Sequence, residues 1–216
     1  MVNVCYQCGE YRADKTIQLD GSYAICPICG YKLAFNRLPL LVVSGASGTG
    51  KTTVLQHLVG LVRKAVLLDS DILWRPEFNR PEDGYRNFFE SWLRIAMNIG
   101  LSGRPVVIFG AGMGVPANLE SRVERRYFST IHYLALVCDD AEIEVRLKKR
   151  PKWRGATADF IAGQIDFNRW FKEVGSKGEP PVELLDTTRV PVEKTASVVK
   201  RWIFENLKDP STRCKG

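Results

Sequence analysis

A glycine-rich segment, GASGTGKT at Gly45–Thr52, sets the first limit on how this chain can fold. It follows the apolar run Leu40–Ser44 and precedes a stretch of helical periodicity, so it is predicted to form the turn between a buried strand and a helix. Its glycines allow successive backbone N–H groups to turn inward around an anion, and the helix directs its positive N-terminal end to the same place. The segment is therefore suited to binding phosphate groups.

The order of residues in this loop is the Walker A, or P-loop, pattern, which predicts a site for ATP or GTP with Mg²⁺. Lys51 is expected to reach the β- and γ-phosphates, and the Thr52 hydroxyl is expected to ligate the magnesium ion. The alternative is a glycine turn without a ligand, which the flanking strand and helix disfavour. The predicted nucleotide-binding residues are Gly45, Ala46, Ser47, Gly48, Thr49, Gly50, Lys51, Thr52 and Thr53.

Apolar runs alternate with helical patterns through the rest of the chain, which predicts an α/β fold of the P-loop NTPase type. We expect a five-stranded parallel sheet with helices on both faces. The predicted strands are Leu40–Ser44, Ala65–Leu68, Pro105–Phe109, Tyr133–Val137 and Val182–Leu185. The predicted helices are Thr52–Lys64, a helix with Phe88, Trp92, Ile95 and Ile99 on one face, Glu142–Arg150, Ala158–Lys172 and Glu193–Leu207.

Two carboxylates, Asp69 and Asp71, follow the second predicted strand of this sheet. Because alternate residues of a strand share a face, they are expected to point the same way, toward the glycine loop. One carboxylate can orient the hydration shell of magnesium, and the other can bind a substrate hydroxyl or accept its proton. The alternative is that one of them caps the next helix, as Asp commonly does.

The loop, the Asp-x-Asp and a glycine-rich turn at Gly110–Gly114 together resemble the small-molecule kinases of the P-loop class, such as shikimate, gluconate, nucleoside and nucleoside monophosphate kinases. The resemblance covers roughly residues 39–207. It implies that Asp69 lies on the magnesium side and that Asp71 binds the acceptor or acts as the base. It also offers Arg94 as a ligand for an anionic group of the acceptor, with a solvated arginine as the alternative.

A basic segment follows the fourth strand and resembles the lid of this kinase class. The resemblance assigns Arg146 and Arg150, with Arg154 behind them, to the charge that develops on the transferring phosphoryl group. The alternative is a solvated helix end whose positive charges complement the helix dipole. Thr187 and Thr188, after the fifth strand, resemble the loop that passes the adenine ring.

Four cysteines near the N-terminus, Cys5, Cys8, Cys26 and Cys29, form two C-x₂-C pairs with the spacing of a zinc site. Two such turns joined by a hairpin resemble a zinc ribbon, and four thiolate ligands would make the zinc structural. Two disulfides or an iron–sulfur cluster are the alternatives. We expect residues 1–37 to form this module and residues 38–210 to form the nucleotide-binding domain.

The net charge of +7 lies entirely in residues 36–216, and it fits either anionic substrates or nucleic acid. No secretory signal or membrane-spanning run is evident, so a cytoplasmic protein is expected.

The leading hypothesis is an ATP-dependent kinase of a small hydroxylated metabolite, nucleoside or nucleotide. The alternative is a zinc-ribbon NTPase associated with nucleic acid or a regulatory partner, although the absence of net charge on the ribbon does not favour nucleic acid. A third possibility is a nucleotide-binding protein without catalysis.

Overall fold

The N-terminal part of the protein is a small antiparallel sheet. The computed structural model describes residues 2–20, 22–151 and 156–208. Strands β1 (Thr16–Gln18), β2 (Tyr23–Ile25) and β3 (Lys32–Ala34) pair in the order β1-β2-β3. Thr16 lies opposite Ile25 and Tyr23 opposite Ala34, so β2 is the central strand.

The rest of the chain is built on a parallel sheet of five strands, as the sequence predicts. These strands are β4 (Leu40–Ser44), β5 (Val66–Asp69), β6 (Val106–Phe109), β7 (Ile131–Val137) and β8 (Glu183–Asp186). They are ordered β5-β6-β4-β7-β8, so β4, which leads into the glycine loop, is central. The carboxyl ends of β4 and β5 therefore lie on the same edge of the sheet, separated by β6.

Within the described residues, six α-helices accompany the sheet: α1 (Lys51–Leu58), α2 (Arg86–Gly100), α3 (Pro116–Glu120), α4 (Asp140–Lys148), α5 (Ala158–Glu173) and α6 (Val192–Asn206). Helix α1 is shorter than the predicted Thr52–Lys64. Val59 leaves the helical conformation, and Gly60 has a φ of 79°, a left-handed geometry that ends the helix.

Both faces of the sheet are covered by helices. Val54 and Leu58 of α1 and Val199 and Ile203 of α6 pack against one face. Helix α2 covers the other face with the buried side chains Phe88, Phe89, Trp92, Leu93, Ala96 and Met97. The strands β4, β6 and β7 are therefore buried on both sides, as parallel strands normally are, whereas the edge strand β8 is mostly exposed.

The N-terminal sheet is docked against α2 and the segment that precedes β7. Asn98 of α2 accepts a hydrogen bond from the backbone N–H of Val2 at 3.3 Å, and the Tyr127 hydroxyl donates to the Ala13 carbonyl at 2.6 Å. The rings of Phe35 and Tyr127 meet edge to face with centroids 5.7 Å apart. The module thus shares an apolar core with the larger sheet.

Among the residues described, no helix combines the length and the apolar character that crossing a bilayer requires.

Candidate functional site

The glycine loop is held in a strained, compact shape. Gly45 has a φ of 131°, and a Cβ there would lie 2.2 Å from the carbonyl oxygen of Leu136, so only glycine fits. The fully buried Thr49 hydroxyl donates to the Ala46 carbonyl at 2.9 Å. Thr49 therefore faces inward and stabilises the loop, and any contact it makes with a ligand uses its backbone.

The loop opens onto a cavity of about 470 Å³. Residues 48–54 of the loop and α1 form one wall, and Arg146 and Arg150 lie above them. Beyond the loop, the cavity continues to Val190, Val192 and Thr195 at the start of α6. The cavity therefore has a phosphate-binding end and a more apolar end, the arrangement that a nucleoside triphosphate requires.

Lys51 is the electrostatic centre of this site. Its ammonium group donates to the carbonyls of Gly45 at 2.7 Å and Ala46 at 2.9 Å. Burial lowers the pKa of Lys51 to about 8, opposed by the negative charges of Asp71 and Asp69 and reinforced by the positive charge of Arg150. These three side chains, two from the segment after β5 and one from just after α4, all act on one ammonium group.

The backbone conformation that places Asp69 and Asp71 in this region differs from the prediction. Strand β5 ends at Asp69, and Asp71 belongs to a 3₁₀ turn, Ser70–Leu73. The side chain of Asp69 accepts a hydrogen bond from the backbone N–H of Asp71 at 2.9 Å. The expectation that both carboxylates extend from one face of a strand was wrong, because Asp69 caps the turn that carries Asp71.

The residues predicted to hold magnesium offer the right kind of donor. Thr52 lies exposed in the first turn of α1, and Asp69 keeps a second carboxylate oxygen besides the one that caps the turn. Hydroxyl and carboxylate oxygens are the ligands that Mg²⁺ prefers. The donor set therefore fits the ion.

Arg146, which lines the cavity, links three elements of the fold. Its side chain pairs with Glu142 at 2.8 Å, donates to the Gly48 carbonyl at 3.3 Å, and donates to the Thr187 carbonyl at 2.9 Å. These bonds join α4 to the glycine loop and to the segment after β8. Arg150 lies in the same cavity one helical turn later, and the predicted Arg154 falls outside the described residues.

Two other sequence-based candidates have structural roles. Arg94 forms an ion pair at 2.8 Å with Glu124, whose side chain is 1% exposed, and therefore connects α2 to the segment before β7.

In the glycine turn, a Cβ at Gly110 would lie 2.1 Å from the Ser70 hydroxyl, and one at Gly114 would lie 2.2 Å from Ser44. Close packing explains these two glycines without a ligand.

Thr187 and Gln164 both contact the glycine loop, although the sequence gives little indication of the first contact and none of the second. The buried Thr187 hydroxyl lies 3.1 Å from the Thr49 carbonyl and fixes the segment after β8 against the glycine loop. The Gln164 side chain accepts a hydrogen bond from the backbone N–H of Ser47 at 2.6 Å. Neither contact has a local sequence signal, because the paired residues are 138 and 117 positions apart.

The four N-terminal cysteines form a candidate metal centre. Their sulfur atoms all lie within 4.8 Å of one another, with Cys5–Cys29 at 3.5 Å and Cys8–Cys26 at 3.8 Å. Ligands about 2.3 Å from a tetrahedral zinc ion are separated by about 3.8 Å, whereas a disulfide requires about 2.05 Å. The spacing therefore suits a bound metal ion.

The two cysteine turns share one geometry. In each, the glycine that follows the second cysteine donates its N–H to the carbonyl of the first, Gly9 to Cys5 and Gly30 to Cys26, both at 2.9 Å. These glycines have φ values of 74° and 73°. Hydrogen bonds from backbone N–H groups lower the pKa of Cys5 and of Cys26 and favour their thiolates, whereas burial and the neighbouring thiols raise the pKa of Cys8 and of Cys29.

Several proteins of known structure share this architecture. A sugar kinase from Janibacter sp. is 18% identical, with a TM-score of 0.55 over 82% of this chain and 99% of that one. A gluconokinase from Sinorhizobium meliloti is 16% identical, with a TM-score of 0.51 over 80% and 97%. The tunicamycin resistance protein of Deinococcus radiodurans is 16% identical, with a TM-score of 0.53 over 77% and 96%.

No protein-family profile matches the sequence, and no curated protein does. At these identities, the structural likeness defines the fold. The chain has the P-loop kinase fold, and its structural neighbours include kinases of small metabolites.

Proposed function

We propose that this protein is a phosphotransferase that moves the γ-phosphate of a nucleoside triphosphate to a hydroxyl group of a small acceptor. The observation that carries the proposal is the electrostatic convergence of Asp71, Asp69 and Arg150 on Lys51 at the mouth of the glycine loop. A protein that only bound nucleotide would need the loop and its lysine. The added acid and cation are what transfer of the phosphoryl group requires, and the exposed position of Asp71 leaves room for an acceptor hydroxyl beside it.

Each side chain has a distinct part in this reaction. Lys51 leaves its two loop carbonyls and binds the β- and γ-phosphates, because the phosphate charge offers a stronger acceptor. Asp71, exposed near the start of its turn, orients the acceptor hydroxyl and takes its proton. Arg150 donates to the oxygens of the phosphoryl group as negative charge spreads over them. Thr52 and Asp69 would hold Mg²⁺, and the ion would neutralise part of the phosphate charge.

A transfer assay tests this proposal directly. The full chain is incubated with [γ-³²P]ATP or GTP, Mg²⁺ and pools of nucleosides, nucleotides, sugars and hydroxy acids, with Lys51→Ala as the inactive control. We expect a labelled acceptor from one pool and none with Lys51→Ala. Nucleotide hydrolysis that rises strongly with RNA or DNA, without transfer to any pool, would favour the nucleic-acid-associated NTPase instead.

We further propose that the four cysteines hold a structural zinc ion, with residues 1–37 and 38–210 as the two structural units. Four thiolates complete a tetrahedron and leave no position open for a substrate. A sheet of three short strands has little core of its own, so the metal supplies much of its folding free energy. Reduced thiolates of this kind fit a reducing compartment, such as the proposed cytoplasmic location.

A further inference from the structure

We propose that Lys15 is the counter-charge of the four-cysteine centre, with its ammonium group held where it stabilises the negative charge of a bound metal tetrathiolate. This inference rests on the proposed zinc site and is independent of the nucleotide site. It adds a residue that sets the affinity for the metal without being a ligand. Lys15 immediately precedes β1, the strand that follows the first pair of cysteines.

The burial of Lys15 is the first observation. This residue is 1% exposed, whereas lysine is almost never fully buried unless it is paired. Its ammonium group donates to the carbonyl of Val2, which satisfies one of its three N–H bonds but does not neutralise its charge. Across residues 2–20, 22–151 and 156–208, no carboxylate forms an ion pair with it. Because an unpaired buried charge is strongly unfavourable, the position implies a negative partner of another kind.

The cysteine cluster is that partner. Burial lowers the pKa of Lys15, and the negative charges of the four thiolates oppose this shift. The two buried cysteines, Cys5 and Cys26, act on Lys15 more strongly than the two exposed ones do. Lys15 therefore lies on the inner side of the cluster, where water screens its charge least.

The charge balance of the metal centre requires such a group. Four thiolates and one divalent ion form a complex that is doubly negative. The other basic residues within positions 2–35 do not offset this charge, because Arg12 is paired with Asp14 at 2.5 Å and Lys32 is exposed. Lys15 is the buried cation of this part of the chain, and its attraction for the thiolates is strengthened by the low dielectric constant around it.

Contacts with the rest of the protein fix the position of the ammonium group. Arg126 donates to the backbone carbonyl of Lys15 at 3.0 Å. Tyr127 donates to the carbonyl of Ala13 at 2.6 Å. The N–H of Val2, whose carbonyl accepts from Lys15, is bonded to helix α2. None of these contacts involves a cysteine, so the position of the positive charge does not depend on the metal.

Two substitutions separate the charge from the hydrogen bond. Lys15→Gln keeps a donor for the Val2 carbonyl and removes the charge, whereas Lys15→Arg keeps the charge. Loss of a group that supports metal ligands lowers affinity roughly 10–100-fold, so the Kd for zinc should rise by about this factor in Lys15→Gln and less than about threefold in Lys15→Arg. Lys32→Gln, at the exposed lysine of the same sheet, is the matched control and should change the Kd less than about twofold.

A second measurement distinguishes loss of the charge from a merely structural effect. In the cobalt-substituted protein, the charge-transfer band arises when an electron moves from a thiolate sulfur to the metal. A positive charge beside the sulfur opposes this movement, so the band should shift to longer wavelength in Lys15→Gln. It should keep its wavelength in Lys15→Arg and in Lys32→Gln.

The experiment is a competition titration of zinc between each full-length variant and a chromophoric chelator, with absorption spectra of the cobalt-substituted proteins in parallel. Zinc binding by Lys15→Gln that is as tight as in the wild type overturns the inference, and so does an equal loss in Lys15→Arg or a loss without a shift of the band. A wild-type protein that binds no zinc overturns the metal site together with this inference, which distinguishes the two failures. Weaker binding and a shifted band in Lys15→Gln alone support it, whether or not any acceptor is phosphorylated.

Discussion

The hydroxyl of Thr187, after the last strand of the sheet, donates to the carbonyl oxygen of Thr49 in the glycine loop at 3.1 Å. The same hydroxyl lies 3.1 Å from the Val137 carbonyl, so it bridges the ends of β7 and β8 to the loop. The apolar end of the cavity is thereby fixed relative to its phosphate-binding end, and the distance between the two is set before any ligand binds.

Thr187→Val should loosen this connection while keeping the shape of the side chain. Loss of a buried hydroxyl hydrogen bond should lower the free energy of unfolding by about 1–2 kcal/mol and weaken nucleotide binding several-fold. Urea unfolding and calorimetric titration with ATP measure the two effects. Thr16→Val, at an exposed position of β1, is the control, and equal behaviour of the two variants would contradict the bridging role.

Nucleotide affinity should fall as the pH rises above about 8. The pKa of Lys51 is lowered to about 8 in the ligand-free protein, so above this pH the lysine must take up a proton to bind phosphate. The Kd should therefore increase by up to about tenfold per pH unit above this point. Calorimetry in buffers of different ionisation enthalpy should detect proton uptake, and Lys51→Arg, which stays charged, should abolish the dependence.

The lowered pKa of Lys51 also affects folding stability, which should rise with pH where nucleotide affinity falls. Between pH 8 and the ordinary lysine value of 10.5, the unfolded chain binds more protons at this position than the folded chain does. The contribution of Lys51 to the free energy of unfolding should therefore increase with pH across that window. A ligand-free Lys51→Met variant should lack this contribution.

Substitutions of the two carboxylates after β5 should have different effects on the kinetics. Asp71→Asn should reduce phosphoryl transfer about 10²–10⁴-fold with little change in nucleotide affinity, because the general base is lost. Asp69→Asn keeps an oxygen that can cap the Asp71 N–H, so its main effect should be a higher magnesium requirement. Steady-state kinetics across Mg²⁺ concentrations would contradict these roles if the two variants behaved alike.

Arg94 should matter for stability and not for nucleotide binding. Its ion pair with Glu124 neutralises a carboxylate that is almost fully buried, although Arg94 itself is 40% exposed. Allowing for solvent screening on the arginine side, Arg94→Met should lower the free energy of unfolding by about 2 kcal/mol. Arg86→Met removes an arginine that is 60% exposed and leaves its partner Glu90 paired with Arg94, so it should change this free energy by less than about 0.5 kcal/mol.

Zinc removal should unfold the N-terminal sheet. Protein purified under reducing conditions should contain one equivalent of zinc, and a strong chelator or Cys26→Ser should abolish protection of residues 2–35 in hydrogen exchange. Cys138→Ser is the control, because this buried cysteine lies outside the four-sulfur cluster. Full protection without metal would contradict the structural role of the ion.

The sequence predicts the parts of this fold that depend on local pattern. Strand β4 was predicted to the residue and the other four to within two residues, because the apolar runs and the glycine loop mark them directly. The 3₁₀ turn at Ser70–Leu73 was missed, since the strand pattern continues through Asp69 without a break. Gln164 and Thr187 depend on contacts between distant segments, which no periodicity in a single chain encodes.

The shared core between the cysteine module and α2 has a consequence for newly synthesised chains. Val2, Ala24 and Phe35 cover apolar side chains of the larger sheet's helical layer, so a chain made without metal would leave that layer facing water. Such chains would associate and precipitate although their nucleotide-binding half is intact. The supply of metal during synthesis would then determine how much of this protein accumulates.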